Sequence, residues 1–395
     1  MKNKSRFFKI FNRKLIKYGN WLDDLHNNKA LFVPYTDTSF QRKSDTPKLF
    51  AYYLTQFHTI PENDNAHGKG FTEWTNVASC APLFIGHFQP KIPYDVGFYN
   101  LLDIDVMRRQ VEIAKAYGIY GFCFYWYWFS GQKVLEKPLY NFLSSDIDFH
   151  FHLCWANENW SRLWDGGNNE LILEQKYRDD DAEKFFNDIL PFISDKRYER
   201  IDNKPLLMIY RPELFGIKRC KKFLSDLDGL AKQNGFDGFW FMASNAYDFD
   251  RPIEYGFHGI TEFPPHTLWA KARKLNVDKI SQRADFCVVS MTDIIAKKLW
   301  NKNESYPVFR GVFPSWDNSP RKAYSHGFCF DMSQNEFETW LMDVLDWTSA
   351  HNPRNQQYVY INAWNEWAEG AILEPTTRYG YAALESVKKV LEKKG

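Results

Sequence analysis

The chain has 395 residues, a formal net charge of +1 from 50 basic and 49 acidic residues, and an aromatic content of 18%. A balanced charge of this kind argues against a nucleic-acid-binding protein, which usually carries a basic excess. The sequence contains no apolar run long enough for a membrane helix, no signal-peptide core and no closely spaced cysteine pair of the kind that binds zinc. We therefore expect a cytoplasmic protein without a metal or a cofactor.

Residues 1–47 are predicted to form a basic arm that precedes the main domain. Phe7, Phe11, Leu15, Tyr18 and Leu22 recur at helical spacing. The basic residues that come before the first acidic residue are Lys2, Lys4, Arg6, Lys9, Arg13, Lys14 and Lys17. A basic amphipathic helix can lie on an anionic membrane surface, which would make the protein membrane-peripheral. A helix packed on the main domain and a mobile tail are the alternatives that the sequence leaves open.

From residue 48 onwards, short apolar runs alternate with amphipathic helical segments. The predicted strands are residues 49–57, 121–129, 149–155, 205–210, 238–244, 259–263, 308–313 and 358–362. The helical segments include residues 103–117, 180–193, 217–233, 291–300, 335–348 and 379–393. Nearly continuous apolar strands are typical of a buried parallel sheet. Eight β-then-α units predict the α/β class and a single (β/α)8 TIM barrel over residues 48–395.

A barrel of this type places its catalytic groups at the carboxyl ends of the strands. Aromatic, amide and charged side chains gather there in this sequence. The residues predicted to bind substrate are Tyr53, Gln56, His58, Glu73, Trp74, Tyr125, Trp126, Trp128, Trp155, Asn157, Glu158, Trp160, Arg211, Glu262, Trp316, Asp317, Trp364 and Asn365. Because aromatic faces bind the apolar faces of sugar rings, we expect several tryptophans to line one cleft. These tryptophans are Trp126, Trp128, Trp155, Trp160, Trp164, Trp316 and Trp364.

The last predicted strand runs directly into two glutamates, Glu366 and Glu369, with Trp364 and Trp367 beside them. Carboxylates at this spacing share one face of a helical turn. Paired carboxylates among aromatic side chains are typical of glycoside chemistry, in which one acid protonates the leaving oxygen and the other acts as base or nucleophile. We predict Glu366 and Glu369 as the catalytic pair. The alternative is a helix start whose acidic side chains favour the N-terminal dipole, and Glu158 and Glu262 are competing carboxylates.

Four motifs, in this order, resemble those of the WbsX-type family of bacterial polysaccharide-biosynthesis proteins, which is usually labelled glycosyltransferase. They are residues 53–58 (YLTQFH), 68–77 (GKGFTEWTNV), 155–160 (WANENW) and 362–370 (NAWNEWAEG), and the resemblance covers about residues 48–391. The last motif is also similar to the Asn-Glu-Trp-His-Glu-Gly of glycoside hydrolase family 99, the endo-α-1,2-mannosidases and mannanases, with Ala368 in place of the histidine. This second resemblance implies Glu366 as general base and Glu369 as general acid. It also implies an epoxide-like intermediate formed through the sugar's own 2-hydroxyl, and net retention.

The favoured interpretation is an enzyme that cleaves or transfers α-linked, mannose-type glycans of a bacterial surface polysaccharide. The second is a glycosyltransferase of O-antigen or capsule synthesis, as the family label implies. The basic arm favours it, whereas the sequence contains no Gly-x-Gly-x-x-Gly phosphate loop. The third is a non-catalytic glycan-binding barrel, against which the acid pair argues because binding alone needs no such pair. In each case the expected partner is an oligosaccharide or polysaccharide and no nucleic acid.

Overall fold

The fold is a closed barrel of parallel strands, seen in a computed structural model that describes residues 16–21, 23–24, 30–162, 170–280, 283–301 and 304–394. The barrel strands are β1 (Lys48–Tyr53), β2 (Gly121–Phe129), β3 (His150–Trp155), β4 (Lys204–Ile209), β5 (Trp240–Asn245), β6 (Gly259–Glu262), β7 (Val308–Val312) and β8 (Tyr358–Ile361). Each predicted strand overlaps one of these, and the ends differ by a few residues.

Each barrel strand pairs in parallel with the next one along the chain, and β8 pairs back with β1. In the closing pair, Tyr358 lies opposite Lys48. In the first pair, Gly121 lies opposite Phe50, where a Cβ would come within 2.4 Å of the Phe50 ring. Closure leaves no unpaired edge in the barrel. The predicted (β/α)8 barrel is confirmed.

The helices follow the strands and surround the barrel. They are α1 (Pro61–His67), α2 (Glu73–Ser79), α3 (Ile104–Ala116), α4 (Lys137–Ser144), α5 (Asp181–Ile193), α6 (Ile217–Gln233), α7 (Pro252–Tyr255), α8 (Thr292–Ala296), α9 (Ser319–Lys322), α10 (Gln334–His351) and α11 (Ala382–Lys394). Helix α10 begins with a capping box, in which Ser333 and Glu336 each accept from the other's backbone N–H.

The interior of the barrel is filled by aromatic side chains and His152. The ring of Phe50 lies 5.0 Å from the His152 ring, and the hydroxyl of Tyr360 lies 3.1 Å from His152 Nε2. Burial lowers the pKa of His152 to about 3, so the imidazole is neutral. The interior is therefore a packed core, and a ligand must bind at an end of the barrel.

Loops at the carboxyl ends of the strands carry additional strands. Residues Gln132–Val134 pair with the end of β2, and Trp160–Ser161 pairs with Leu171–Leu173. The loops after β6 and β7 contribute Arg273–Leu275, Phe286–Ser290 and Gly327–Asp331 to a separate three-stranded sheet. These insertions surround the end of the barrel at which the strands have their carboxyl ends.

The segment predicted as an arm lies partly on the barrel. Residues 16–21 are helical. Further on, the N–H of Phe40 donates to the carbonyl oxygen of Ala116 at 2.8 Å, and the guanidinium of Arg42 donates to the carbonyl oxygen of Gly118 at 2.8 Å. The basic cluster of residues 2–14 lies outside the described residues. Within the described ranges, none of the helices combines the length and the apolar character that a membrane crossing requires.

Candidate active site

A cleft of about 670 Å³ lies at the carboxyl ends of the strands, within the size range of ligand sites. Its lining residues are Tyr125, Tyr127, Ala156, Glu158, Tyr210, Arg211, Ala246, Tyr247, Asp248, Phe263, His266, Trp269, Trp316, Asn318, Arg321, Lys322, His326, Phe328, Glu366 and Glu369. A narrower pocket of about 70 Å³ adjoins the cleft and shares Tyr127, Ala156, Glu158, Arg321 and Glu366 with it. The other residues of this pocket are Leu54, Gln56, Asn63, Phe71, Glu73, Phe129, Asn159 and Trp160.

Glu366 and Glu369 project from one tight segment after β8, residues 366–370, which we call the acid turn. Residues Trp367–Glu369 form a single 3-10 turn, and Gly370 ends it with a φ of +61°. A Cβ at Gly370 would lie 2.9 Å from the carbonyl oxygen of Asp317, so a side chain does not fit there. The glutamates therefore do not begin a helix, and both of them line the cleft.

Arg321 of α9 joins three carboxylates. Its Nη2 lies 2.9 Å from Glu73 Oε2 and 3.7 Å from Glu366 Oε2, and its Nη1 lies 3.0 Å from Glu369 Oε1. All four side chains are largely buried. Because the single positive charge of the guanidinium cannot balance three carboxylates, the cluster favours the uptake of protons.

The two glutamates of the acid turn differ in their surroundings. Burial raises the pKa of Glu366 well above its usual range, and the charges of Glu369 and Glu73 raise it further, whereas Arg321 lowers it. Burial also raises the pKa of Glu369, against the effects of Arg321 and Lys322. Glu366 Oε2 is buried without a hydrogen-bond partner among the described residues. Arg321, which donates to Glu369 at 3.0 Å, therefore stabilises the carboxylate form of Glu369 more directly than that of Glu366, whose Oε2 lies 3.7 Å away.

Glu158 brings another carboxylate into the cleft from the loop after β3. Its Oε2 accepts from Arg211 Nη1 at 2.9 Å. Arg211 also pairs with Glu213 and lies over the ring of Tyr247, 3.8 Å from its centroid. Burial raises the pKa of Glu158 to about 7, although Arg211 opposes the shift. Glu158 can therefore change protonation state near neutral pH.

Asn365 and Asp317, predicted to contact substrate, instead hold the acid turn in place. The Asn365 amide donates to the carbonyl of Leu54 at 3.0 Å and accepts from its N–H at 2.8 Å, which ties the turn to the end of β1. The N–H of Asp317 donates to the carbonyl of Glu369 at 2.7 Å. The Asp317 side chain lies 2.8 Å from His87 Nε2. Although burial opposes it, this contact holds the pKa of Asp317 below its usual range.

A buried network around Glu374 supports the acid turn from behind. The indole N–H groups of Trp364 and Trp367 donate to the Glu374 carboxylate at 3.1 and 2.6 Å. Gln110 of α3 donates to the same carboxylate at 2.6 Å and accepts from the hydroxyl of Tyr53 at 2.5 Å. Tyr53 and Trp364, which were predicted to bind substrate, both lie in the core behind the site and do not line the cleft.

Strand β2 separates its aromatic residues between two faces. Tyr125 and Tyr127 line the cleft. Trp126 is 1% exposed and packs on a ring of α5 at 5.3 Å, and the indole of Trp128 donates to a carboxylate of the same helix at 2.8 Å. Trp155 of β3 packs on α5 as well, at 4.6 Å. These three tryptophans, which were predicted to bind substrate, therefore do not line the cleft; they join the barrel to its helices.

Four further residues of the predicted set do not line the cleft. Glu262 pairs with Arg310 at 2.6 Å and lines a separate small pocket. Asn157 is buried and binds the main chain after β4. His58 is buried, and burial lowers its pKa to about 4. Trp74 packs against the acid turn, 5.5 Å from a ring of that turn. Each of them therefore lies outside the cleft and the adjoining pocket in which the prediction placed it.

The remaining predicted residues do meet in one place. Those that line the cleft or the adjoining pocket, besides the acid pair, are Gln56, Glu73, Tyr125, Glu158, Trp160, Arg211 and Trp316. Trp164 lies outside the described residues. The lining residues that stand outside the predicted set of substrate-binding residues include Tyr127, Tyr210, Tyr247, His266, Trp269, Arg321, Lys322 and Phe328. The alternation along β2 could have revealed Tyr127, whereas nothing in the sequence near Arg321 marks it as the partner of three carboxylates.

Comparisons with known proteins agree with the motifs. A family model described as Glycosyltransferase WbsX matches residues 49–387. Over 349 residues the chain is 37% identical to the uncharacterized protein WxcX of Xanthomonas campestris pv. campestris, a match that covers 87% of this chain and 49% of the relative. The WxcX protein of a second strain matches equally, so the chain spans about half the length of these relatives.

Two solved structures share the fold. A glycoside hydrolase-like protein has a TM-score of 0.55 at 13% identity, with 92% of this chain and 98% of that chain covered. The GH99 endo-α-mannosidase from Bacteroides thetaiotaomicron has a TM-score of 0.53 at 12% identity, with 89% and 98% covered. At such low identity these likenesses concern the fold. The family model covers nearly the whole chain and agrees with the four motifs, and on that basis the chain belongs to the glycosyltransferase WbsX family.

Proposed function

We propose that the chain is a carbohydrate-active enzyme that acts on α-linked, mannose-type glycans of bacterial surface polysaccharide, with Glu366 and Glu369 as its acid and base. One observation carries the proposal. Two buried carboxylates with raised pKa values share Arg321 inside an aromatic-lined cleft of about 670 Å³. A raised pKa favours the protonated form of a carboxyl group, which is the form that a general acid needs.

The acid turn brings both carboxyl groups to one place, where a single sugar residue can meet both. One group protonates the glycosidic oxygen as the leaving group departs, and the other accepts a proton from the attacking hydroxyl. In the retaining mechanism implied by the resemblance, that hydroxyl belongs to the sugar itself. The resemblance makes Glu369 the acid, whereas Arg321 stabilises the carboxylate form of Glu369 in the free cleft. An experiment must therefore separate the two roles.

The roles can be separated with an α-mannoside that carries an activated aryl leaving group, which needs little protonation. If Glu369 is the acid, Glu369→Gln should keep much of its rate on this substrate. On an unactivated oligosaccharide, the same variant should lose about 10²–10⁴-fold. Glu366→Gln should then lose activity on both substrates, because formation of the intermediate still needs the base. If the two variants behave the other way round, Glu366 is the acid and Glu369 is the base. If both variants keep full activity, neither glutamate is catalytic.

Transfer from an activated donor sugar is the second candidate function, favoured by the description of the matching family. A thermal-shift screen separates the two, because a ligand that binds the folded state raises the melting temperature. Stabilisation by manno-oligosaccharides but not by nucleotide sugars supports the hydrolase-like function. The reverse pattern supports transfer. NMR of the first-formed product then tests retention of the anomeric configuration.

A further inference from the structure

Three aromatic rings, those of Trp316, Phe328 and Trp269, stack in a row along one wall of the cleft. The ring centroids are 6.0 Å apart in the first pair and 5.5 Å in the second, and the planes are inclined by 22° in both. Exposure rises along the row, from 3% for Trp316 through a half-buried Phe328 to 41% for Trp269. The inner end adjoins the acid turn, because Asp317, next to Trp316, donates its N–H to Glu369. The row therefore runs from the acid pair to the mouth of the cleft.

Two large aromatic rings, those of Trp269 and Tyr247, are exposed to solvent in the cleft. Trp269 lies in the short turn Trp269–Lys271, none of whose residues is buried. Tyr247 is 48% exposed and lines the same cleft, with the guanidinium of Arg211 over its ring. Isolated exposed apolar residues are common on protein surfaces, but aromatic rings grouped in a concave site are typical of ligand contacts. The rings of Trp269 and Tyr247 are thus open to a ligand that enters the cleft.

We propose that Trp269 and Tyr247 form a distal glycan-binding subsite. The apolar face of a pyranose ring stacks on the indole of Trp269, and Arg211 and Tyr247 supply hydrogen bonds to the sugar hydroxyls. The inference rests on the proposed function, because it takes the ligand to be a glycan. It defines the substrate as an oligosaccharide that reaches from the acid turn to the mouth of the cleft, since a monosaccharide held at the acid turn does not extend to Trp269.

The test measures how binding depends on glycan length. The probes are α-linked manno-oligosaccharides of increasing length, from the monosaccharide upwards, on an array that also carries O-antigen fragments. The proteins are the Glu366→Gln variant, which prevents turnover, and the same variant with Trp269→Ala. We expect the second to bind the longer oligosaccharides about tenfold more weakly, the effect typical of removing an important aromatic contact. The loss should be smallest for the monosaccharide, and Trp269→Phe should restore most of the affinity.

Two controls make the result specific. Tyr94→Ala removes an aromatic ring that is 43% exposed but does not line the cleft, and it should leave the length dependence unchanged. If Trp269→Ala lowers the melting temperature, Trp269→Leu keeps an apolar contact with Phe328 without the flat face and serves in the same comparison.

The outcomes distinguish the subsite from the proposed function. Equal binding of long glycans with and without Trp269 overturns the subsite and leaves the proposed function standing. An equal loss at every length also overturns the subsite, because it indicates a change in the whole cleft. If neither the native protein nor the Glu366→Gln variant binds any glycan on the array, the proposed function and the subsite are overturned together.

Discussion

Arg321 is the residue on which the charge balance of the cleft depends. It contacts Glu73 and Glu369 and lies close to Glu366, where burial leaves little solvent to screen the charges. In both members of the acid pair, Arg321 lowers the pKa that burial raises. We therefore expect a substitution at Arg321 to change the pKa values of the two glutamates more than it changes the shape of the cleft.

Replacement of Arg321 by Met should move the acidic side of the pH–activity profile to higher pH. The sign follows from the charge: loss of a cation raises the pKa of both glutamates, so a higher pH is needed to ionise the base. The measurement is kcat/KM on a soluble glycan as a function of pH. Arg108→Met, which removes an exposed cation of α3, should leave the profile unchanged. A shift to lower pH would contradict the assignment of Arg321.

Strand β2 shows how one element serves the core and the cleft together. Successive side chains of a strand point to opposite faces. In β2, one face turns Tyr125 and Tyr127 towards the cleft, and the other packs Trp126 and Trp128 against α5. Neighbouring aromatic residues of similar size therefore have different roles, and substitutions one position apart should have different consequences.

Replacement of Trp126 by Ala should destabilise the fold rather than act on glycan binding. A buried tryptophan leaves a cavity when it is truncated, which costs about 3–5 kcal/mol of unfolding free energy. Tyr127→Ala should cost less stability and weaken glycan binding, because its ring lines both the cleft and the adjoining pocket. Chemical denaturation and glycan titration of the two variants make the comparison. If Trp126→Ala has normal stability but binds glycan more weakly, Trp126 contacts the glycan in the cleft.

At the scale of the whole molecule, the barrel and the described residues before it form one packed body, in which Lys17 pairs with Asp278 at 2.5 Å and Trp21 is buried. Phe40 and Arg42 bond to the end of α3, and Val33 pairs with Gly380 near the C-terminal helix. The six basic residues of positions 2–14 precede this body, and the sequence contains no acidic residue before Asp23. We propose that this basic segment brings the protein to anionic membrane surfaces.

Deletion of residues 1–14 should abolish association with phosphatidylserine liposomes and spare activity on a soluble glycan. Each basic residue near an anionic surface contributes about 1 kcal/mol of attraction, so the effect should weaken as salt is added. The deletion ends at residue 14 because the helical residues 16–21 include Lys17, which pairs with Asp278, and the buried Trp21. Sedimentation with phosphatidylserine and with neutral liposomes measures the binding. Unchanged sedimentation of the shortened protein would reject the membrane role.

The sequence by itself determined the barrel and the position of Glu366 and Glu369 at the carboxyl ends of its strands, because both are local patterns. A barrel strand is buried on both faces, so each of the eight strands left a short apolar run between helical segments. Both glutamates lie within one motif. Because that motif follows the last strand, the sequence predicted them at the carboxyl ends of the barrel strands. The four motifs likewise indicated the family that the comparisons found.

The tertiary structure alone decided which residues complete the site. Arg321 is 48 positions from Glu369 and 248 from Glu73, and only closure of the barrel brings them together. Burial on both faces also explains why the sequence could not distinguish Trp126 from Trp316. Apolar character is the same whether a ring faces a helix or the cleft, and the direction of a side chain depends on the strand register and on the elements packed around it.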